Sequence, residues 1–380
     1  MPVRVVIAPD SFKGSMKSSE AAKRIQQGIQ SVFPDWTCER IPVADGGEGT
    51  LDAILTATGG YKVPSTVQDP LGRMMRAEWG YCEDRKLAVI ETAAASGLSL
   101  LTEKELDPYR ASTFGTGQLV KEALDRGAQE VVLGLGGSAT VDAGVGFFSA
   151  LGVDFYNRAG MINRPAGGHL GEIEWMDVSR MDPRLKTVRM TIAFDVSNPL
   201  LGPEGAISIF GSQKGVQAEE TAFFEAGMQR FAEQIIHLTG RDVRSDPGSG
   251  AAGGFGFALR SLLDVTFQRG FELIAELTGL ERRIRKADMV ITGEGKVDRQ
   301  SLYGKVPMGI SKIARDYNVP VVVFAGKVEE EQMEAQKEGI SVILPIVDGP
   351  MSLKTAMDRG PELLEAASRR FAYILVLSKQ

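Results

Sequence analysis

Residues 3–43 read VRVVIAPDSFKGSMKSSEAAKRIQQGIQSVFPDWTCERIPV, a stretch in which two apolar strands enclose an amphipathic helix. We predict strands over 3–8 and 38–43, and a helix over 18–33 that Pro34 terminates, because proline cannot continue a helix. A strand that is apolar throughout is typical of a parallel sheet covered by helices on both faces. The stretch therefore predicts the first strand–helix–strand unit of an α/β fold.

The same alternation returns in the last hundred residues. Further strands, each followed by a helix, are predicted at 287–293, 319–326 and 340–346. Neither end of the chain forms a stable sheet alone, so we predict one discontinuous, doubly wound (flavodoxin/Rossmann-like) parallel-sheet domain from residues 1–60 and 286–380. Residues 61–285, which begin with a meander of strands over 62–92, are predicted to form a large inserted mixed α/β domain. The cleft between the two domains is the expected active site.

Composition narrows the class of protein. A net charge of −6 without a basic stripe argues against a nucleic-acid partner, because that binding depends on clustered Lys and Arg. No apolar run approaches the roughly 18 residues that span a bilayer, and the N-terminus resembles no secretory leader. Cys38 and Cys82 make neither a disulfide scaffold nor a zinc cluster. We expect a cytoplasmic protein that acts on small molecules, with no membrane partner; its oligomeric state stays open, a homodimer included.

Two common catalytic sets are absent from the sequence. The chain has two histidines, His169 in a predicted loop and His237 in a predicted helix, so a Ser-His-Asp hydrolase is poorly supported. The sequence contains no G-x-x-x-x-G-K-[ST] segment, no H-R-D and no D-F-G, which excludes P-loop NTPases and protein kinases. Any kinase activity therefore belongs to another lineage, in which a carboxylate would transfer the proton.

Charged residues recur in short, glycine-flanked loops that mostly follow apolar strands. Such strand ends are where an open α/β sheet keeps its ligands. Acidic groups there can hold Mg²⁺, and lysines together with loop amides can hold phosphate. The set comprises Asp10, Lys13, Asp45, Glu48, Asp195, Lys214, Glu294, Asp298 and Lys305. The combination predicts phosphoryl transfer.

GLGGSAT (134–140) follows a predicted strand, and we predict that it opens a helix over 137–152. Successive amides at such a junction can cradle an anion. The segment also satisfies G-x-G-x-x-A, the dinucleotide fingerprint, and Asp154 falls near the position of a ribose-binding acid. Simple close packing of the glycines is a third interpretation. The position of the segment in the middle of the chain favours a phosphate or substrate cradle.

Six separated segments, in this order, resemble the signature blocks of the bacterial glycerate kinase (type I) family. They are APDSFKGS (8–15), PVADGGEGT (42–50), GLGGSAT (134–140), DVSNPL with FGSQKG (195–200 and 210–215), GSGAAGGFGF (248–257) and VITGEGKVDRQSLYGK (290–305). The resemblance covers essentially the whole chain. One position departs from it: Val141 stands where the family pattern has a polar residue, although the following Asp142 is kept. A direct polar role for position 141 is therefore not expected.

The resemblance implies ATP-dependent phosphorylation of D-glycerate with Mg²⁺ as cofactor, giving 2- or 3-phosphoglycerate. It also implies two α/β domains, one of them discontinuous, with the site between them, which agrees with the division argued from the strand pattern. Two other functions remain open. One is a nicotinamide-dependent hydroxyacid dehydrogenase that uses GLGGSAT as its fingerprint, and the other is a non-catalytic carboxylate- or sugar-binding module.

For this reaction we expect Asp195 to be the catalytic base, because it is the carboxylate at the end of the most apolar predicted strand of the insertion. Lys13 would take part in catalysis, with Asp10 orienting it. The candidate metal ligands, not all used together, are Asp45, Glu48, Asp142, Glu294 and Asp298. The candidate phosphate, nucleotide or substrate ligands are Gly136, Gly137, Ser138, Asn198, Lys214, Ser301 and Lys305.

Overall fold

The computed structural model describes residues 3–44, 49–297, 306–329 and 336–377. Within these residues the chain is a mixed α/β protein with a parallel sheet, a mixed sheet and a small antiparallel sheet. This confirms the predicted α/β class, and the finer domain architecture stays a prediction. No helix among them is long and apolar enough to cross a membrane. Some candidate site residues lie outside the described residues, and their roles stay predictions: Asp45, Glu48, Asp298, Ser301 and Lys305.

Strands and helices alternate along most of the chain. The strands are β1 Arg4–Ile7, β2 Thr37–Arg40, β3 Tyr61–Gln68, β4 Met74–Cys82, β5 Leu87–Glu91, β6 Glu130–Gly134, β7 Asp154–Asn157, β8 Gly160–Met161, β9 Trp175–Asp177, β10 Arg189–Phe194, β11 Val265–Arg269, β12 Met289–Val297, β13 Val321–Val328 and β14 Val342–Pro345. The α-helices with described bounds are α1 Ser18–Gln30, α2 Thr50–Thr58, α3 Ala93–Ser96, α4 Phe114–Asp125, α5 Val145–Ala150, α6 Ala206–Phe210, α7 Thr221–Thr239, α8 Ala251–Leu262, α9 Gly270–Thr278, α10 Leu280–Ile284, α11 Val306–Asp316, α12 Leu353–Asp358 and α13 Gly360–Leu377.

The chain divides into two compact units, each built around its own sheet. Unit 1 comprises Met1–Asp45, Asp52–Thr58 and Gly270–Gln380, and unit 2 comprises Gly46–Leu51 and Gly59–Arg269. Helices α9 and α10 fall in unit 1, whereas the sequence predicts that they belong to the inserted domain. Neither Cys38 in unit 1 nor Cys82 in unit 2 forms a disulfide.

The sheet of unit 1 is parallel throughout its described strands, in the order β14-β13-β12-β1-β2. Strands β1 and β12 lie side by side, with Val6 opposite Val290. From β1 the chain proceeds to one side of the sheet, and from β12 it proceeds to the other. The carboxyl ends of β1 and β12 therefore meet at a topological switch point, where an open α/β sheet forms a crevice for ligands.

Helices α1 and α13 pack closely against each other in the core of unit 1. Gly28 of α1 lies at this contact. A β-carbon added at Gly28 would lie 2.5 Å from the carbonyl oxygen of Glu365 and 2.6 Å from the Cβ atom of Ser368. Both neighbours belong to the interior of α13 and cannot move aside cheaply. Glycine is therefore required here by the close approach of two helices.

We expect Gly28→Ala to destabilise the protein by about 1–3 kcal/mol, the usual cost of overpacking a core. Helix propensity alone predicts the opposite sign, since alanine stabilises a helix interior by about 1 kcal/mol relative to glycine. Urea unfolding measures the change. The exposed neighbour Gln27 provides the control, because Gln27→Ala should leave the free energy of unfolding within about 0.5 kcal/mol of wild type. A stabilised Gly28→Ala protein would contradict this packing.

The main sheet of unit 2 is mixed, in the order β11-β10-β6-β5-β4-β3. Strands β3, β4 and β5 pair antiparallel, as the predicted meander requires, and β5, β6, β10 and β11 pair parallel. Val132 of β6 lies opposite Val89 of β5 and Thr191 of β10. The carboxyl ends of these parallel strands share one edge of the sheet, and the glycine-rich and charged loops of unit 2 follow them.

Candidate functional site

The switch point of unit 1 holds a cavity of about 260 Å³. Asp10, in the loop after β1, and Glu294, in β12, both line the cavity, and each is only 5% exposed. The N–H group of Asp10 donates to the carbonyl oxygen of Gly293 at 2.8 Å, which places the two carboxylate residues on adjoining strand ends. Mg²⁺ at phosphate sites is usually held by one or two carboxylates, with phosphate and water as the other ligands. The pair therefore has the ligand chemistry that this cation needs.

Three lysines, Lys13, Lys296 and Lys327, also line this cavity, and all three are exposed. Lys296 donates to Glu329 at 2.7 Å, and Lys327 pairs with the same carboxylate. The hydrogen bonds from these two lysines lower the pKa of Glu329. Because two ammonium groups share one carboxylate, this side of the cavity has an excess of positive charge that suits phosphate oxygens.

The cavity also has an apolar wall. It is lined there by Phe12, Ile346, Val347, Leu353 and Met357. An apolar wall beside a few convergent polar groups is typical of sites for small molecules and cofactors. The sequence prediction omits Lys296, Lys327 and Glu329. Lys327 could have been found from the sequence, because it follows Gly326 at the end of an apolar strand. Lys214 is selected for a similar reason, as a lysine in a glycine-flanked loop.

In unit 2, the loop after β6 presents three successive backbone N–H groups. Its two ends are fixed, because Leu135 N–H donates to Ala193 at 3.1 Å and Ala139 N–H donates to Ser96 at 2.8 Å. Between them, the N–H groups of residues 136–138 have no hydrogen-bond acceptor in the described part of the chain. The backbone is exposed at Gly137, which has a φ of +71°. Adjacent N–H groups of this kind form a nest for an anion.

Lys214 lies beneath this loop and is only 3% exposed. Its Nζ atom donates to Ser138 Oγ at 2.9 Å and to the carbonyl oxygen of Thr140 at 2.9 Å. Burial lowers the pKa of Lys214 to about 7, and the charge of Asp142 acts in the opposite direction. The sequence predicts Lys214 as a direct phosphate or substrate ligand, whereas the structure places its ammonium group on the inner side of the loop.

Lys214→Met is expected to change how stability depends on pH. The pKa of Lys214 is lowered from 10.5 to about 7 in the folded protein, so within this window the unfolded chain binds a proton that the folded chain does not. The free energy of unfolding of the wild type should therefore rise with pH above about 7, by up to about 1.4 kcal/mol per pH unit, relative to the variant. Urea unfolding at about pH 7 and 9 measures this difference.

The exposed Lys121 supplies the control for this prediction. Lys121→Met should follow the pH dependence of the wild type, because its ammonium group is exposed and Lys214 is left in place. Parallel pH profiles for the wild type and Lys214→Met would show that the ammonium group is not desolvated beneath the loop.

Asp142 is fully buried and is surrounded by hydrogen-bond donors of its own unit. It accepts hydrogen bonds from the N–H and hydroxyl groups of Thr113 at 2.8 Å each, from Gly144 N–H at 3.1 Å and from Gly146 N–H at 3.3 Å. Burial raises the pKa of Asp142, and these hydrogen bonds counteract part of the rise. With these donors, the Asp142 carboxylate anchors the turn that contains Gly144 and Gly146.

Asp142 is also a candidate metal ligand from the sequence. Among the described residues, no group of three or more His, Cys, Asp or Glu side chains is arranged to hold a metal ion.

The predicted helix over 137–152 is wrong. Residues 135–144 contain no helix, and α5 spans only Val145–Ala150. Ala143 and Gly144 have φ values of +47° and +78°, in the left-handed region that a right-handed helix cannot include. The dinucleotide fingerprint requires a helix that begins at the glycine loop. The nicotinamide-binding interpretation therefore lacks its structural context.

Two further contacts complete the surroundings of the loop. The range given for α8 is interrupted near its start, because Gly253 and its two neighbours Ala252 and Gly254 have positive φ values. A β-carbon at Gly253 would lie 2.1 Å from the carbonyl oxygen of Thr140. Gly253 also accepts the N–H group of Ala143 at 3.0 Å, so this glycine-rich segment packs directly on the turn that carries Asp142. Val141 is fully buried in the hydrophobic core of unit 2. Position 141 thus contributes packing and no polar group.

Asp195 directly follows β10, the strand that neighbours β6 in the sheet. It is exposed. The hydrogen bond between Leu135 and Ala193 joins the two strand ends, so the backbone of Asp195 continues from the same edge as loop 136–138. Asp195 and loop 136–138 thus extend from the same edge of the sheet, and the predicted role of Asp195 as the base stays a prediction.

Asn198 shapes the segment that follows Asp195. Its Nδ2 atom donates to the carbonyl oxygen of Glu204 at 2.8 Å, and its own carbonyl oxygen accepts the N–H group of Gly250 at 3.0 Å. The side-chain amide therefore bonds to its own loop. The predicted role of Asn198 as a ligand stays a prediction.

Each unit therefore brings charged groups to the carboxyl edge of an α/β sheet, and unit 2 adds free loop amides. Together these features are those of an α/β protein whose sheet edges have the chemistry to hold anionic small molecules. A model of the glycerate kinase family matches residues 5–376 of the chain. The protein belongs to the glycerate kinase family, and membership of a kinase family implies ATP as the phosphoryl donor.

Relatives of nearly equal length support this assignment. The chain is 40% identical to the glycerate kinase of Bacillus subtilis (strain 168) over 377 residues, which are 99% of each chain. It is 39% identical to the glycerate 2-kinase of Escherichia coli (strain K12) over 375 residues, 99% of this chain and 98% of the relative. A crystal structure of a proposed glycerate kinase 2 from Salmonella typhimurium LT2 matches the fold with a TM-score of 0.88 and 37% identity over 100% of both chains.

Proposed function

We propose that the protein transfers the γ-phosphoryl group of ATP to the 2-hydroxyl of D-glycerate, giving ADP and 2-phosphoglycerate. The observation that carries the proposal is the switch-point cavity of unit 1, where two buried carboxylates adjoin three lysines in a chain of the glycerate kinase family. An identity of 39% to a glycerate 2-kinase over nearly the full length of both chains supports the choice of the 2-hydroxyl. A fold that supplies carboxylates, lysines and loop amides meets the main demands of phosphoryl transfer, which are positioning and neutralisation of charge.

In unit 1, Asp10 and Glu294 would hold Mg²⁺. When bound, Mg²⁺ offsets the negative charge of the phosphate oxygens during transfer. Lys13, Lys296 and Lys327 bind the phosphate oxygens of ATP, and Lys296 and Lys327 exchange part of their bonding to Glu329 for bonds to phosphate. The apolar wall of the same cavity then receives the nucleoside part of ATP.

In unit 2, loop 136–138 holds an oxyanion of the substrates, and Asp195 accepts the proton of the glycerate hydroxyl. The hydroxyl oxygen attacks the γ-phosphorus. As the new P–O bond forms, the bond from the γ-phosphorus to the bridging oxygen breaks, and its electron pair leaves with ADP. The predicted arrangement of a discontinuous doubly wound domain, an inserted domain and an active site between them stays a prediction that this division of roles requires.

Glu294→Gln is expected to raise the Mg²⁺ concentration for half-maximal activity by at least about 10-fold, because loss of even an indirect partner of a metal typically costs about 10–100-fold in affinity. Activity titrated with Mg²⁺ at saturating ATP measures the change. Glu362→Gln, which alters an exposed carboxylate of α13, is the control and should keep the Mg²⁺ dependence of the wild type. An unchanged titration of Glu294→Gln would remove Glu294 from the metal site.

The reaction itself is tested by ADP release from Mg-ATP in the presence of D-glycerate, with L-glycerate, no acceptor and excess EDTA as controls. We expect turnover with D-glycerate and little without acceptor or with EDTA. Binding of ATP without turnover would contradict the assigned acceptor. Failure to bind ATP would contradict the assignment of the unit 1 cavity to a nucleotide.

A further inference from the structure

We infer that Lys214 orients the hydroxyl of Ser138 toward an oxyanion of the substrate at loop 136–138. The inference rests on the proposed function, because the oxyanion is taken to be the carboxylate of glycerate or a phosphoryl group of ATP. Lys214 is only 3% exposed, whereas the backbone at Gly137 is exposed. Lys214 is therefore a positioning residue that acts through the loop.

The direction of the hydrogen bonds carries the argument. When Lys214 is protonated it has three N–H donors and no acceptor, so in its 2.9 Å contact with Lys214 the Ser138 hydroxyl is then the acceptor. The hydroxyl hydrogen of Ser138 is then left to donate elsewhere. The carbonyl oxygen of Thr140 accepts from the same ammonium group at 2.9 Å, and no hydrogen bond joins it to the Ser138 hydroxyl among the described residues. Among the described residues, no atom accepts a hydrogen bond from the Ser138 hydroxyl.

The neighbouring buried carboxylate does not supply that acceptor. Asp142 is occupied by Thr113, Gly144 and Gly146, and no hydrogen bond joins it to Ser138 among the described residues. The hydroxyl hydrogen therefore remains available beside the three N–H groups of residues 136–138. These four donors have no acceptor among the described residues, and they lie in a loop whose backbone is exposed at Gly137 although Ser138 is buried. Such a set of donors is complementary to an oxyanion from outside the protein.

Electrostatics explains why a lysine is used beneath the loop. A buried ammonium group is costly unless negative charge lies nearby. Asp142 is the charged group that acts on Lys214 in the described residues, and burial still holds the pKa of Lys214 at about 7. An oxyanion bound at the loop adds a second negative charge and favours the protonated lysine. Substrate binding near neutral pH should therefore be coupled to the uptake of a proton.

Four variants test the inference: Lys214→Met, Ser138→Ala, the double variant, and the exposed Lys121→Met as control. We expect Lys214→Met to raise the KM of the substrate that occupies the loop by about 10- to 100-fold, with a smaller change in kcat. A rise for D-glycerate identifies the carboxylate as the oxyanion, and a rise for ATP identifies a phosphoryl group. Because Lys214 acts through Ser138, the double variant should be no worse than Lys214→Met alone.

Calorimetry adds a readout that a purely structural role would leave unchanged. Binding of the affected substrate at about pH 7.5, in two buffers with different heats of ionisation, should show proton uptake by the wild type and Lys121→Met but not by Lys214→Met. If Lys214→Met does not fold, Ser138→Ala alone should still raise the same KM, because it removes the hydroxyl and keeps the ammonium group.

Wild-type KM values for both substrates in Ser138→Ala and Lys214→Met would overturn the inference, as would additive effects in the double variant. Failure of the proposed function would be seen differently, as a wild type that binds D-glycerate or ATP with proton uptake but does not turn over. The inference and the proposed function are thus tested by separate results.

Discussion

Asp195→Asn is expected to lower kcat by about 10²–10⁴, the usual contribution of a positioned general base, while the protein stays folded. Asp195 is exposed and directly follows β10, so its replacement by an isosteric amide removes a charge from the surface and leaves the core of unit 2 unchanged. The amide cannot take up the proton of the substrate hydroxyl. The KM values of both substrates should change less than kcat, because the loss falls on the transition state. Steady-state kinetics with D-glycerate and Mg-ATP measures the change.

Asp84 offers a matched carboxylate for the control. It is exposed in the turn between β4 and β5. Because β5 runs parallel to β6 and β10, this turn lies at the amino end of the parallel strands, whereas Asp195 lies at their carboxyl end. Asp84→Asn should keep wild-type kcat. Near wild-type kcat in Asp195→Asn would rule out Asp195 as the base and direct attention to the other carboxylates of the two sheet edges.

Asp142→Ala is expected to lower the free energy of unfolding by about 3–5 kcal/mol, as is typical when one partner of a buried charged network is removed. The alanine would leave the N–H and hydroxyl groups of Thr113 and the N–H groups of Gly144 and Gly146 buried without their acceptor. Each unsatisfied buried group costs about 1–3 kcal/mol before the surroundings relax. Urea or thermal unfolding followed by circular dichroism measures the loss.

Asp154 supplies the control for this prediction. It pairs with Arg180 at 3.3 Å near the surface of unit 2, and such pairs contribute about 0–1 kcal/mol. Asp154→Asn should therefore change stability little. If Asp142 were instead a metal ligand, Asp142→Ala would raise the Mg²⁺ requirement and leave the apo protein about as stable as the wild type. That result would contradict the anchoring role.

The sequence predicts the architecture well where hydrophobic periodicity is strong. The apolar strands at 3–8 and 319–326 and the helix that begins at Ser18 are read from local patterns, and the parallel pairing of β1, β12 and β13 follows from them. The predicted helix end is three residues late, since α1 ends at Gln30. The six family-like segments add the class of reaction, which periodicity alone cannot supply.

The finer features of the site depend on tertiary contacts that no local pattern encodes. Burial of Lys214 depends on where loop 136–138 lies after folding, although the residue itself stands in an ordinary glycine-flanked turn. The left-handed conformation of Ala143 is likewise imposed by the packing of Gly253 and by the four donors around Asp142. From the sequence alone, the small residues around Ala143 resemble the start of a helix, which is why the helix over 137–152 is predicted.

The reaction product gives the most direct test of the proposed activity. We would record the ³¹P NMR spectrum of a mixture of the protein, Mg-ATP and D-glycerate, without proton decoupling. Phosphate on C2 couples to one proton and gives a doublet, whereas phosphate on C3 couples to two and gives a triplet. We expect a growing phosphomonoester doublet together with the signals of ADP. A triplet would contradict the assigned hydroxyl, and the absence of any new phosphomonoester would contradict the glycerate kinase activity.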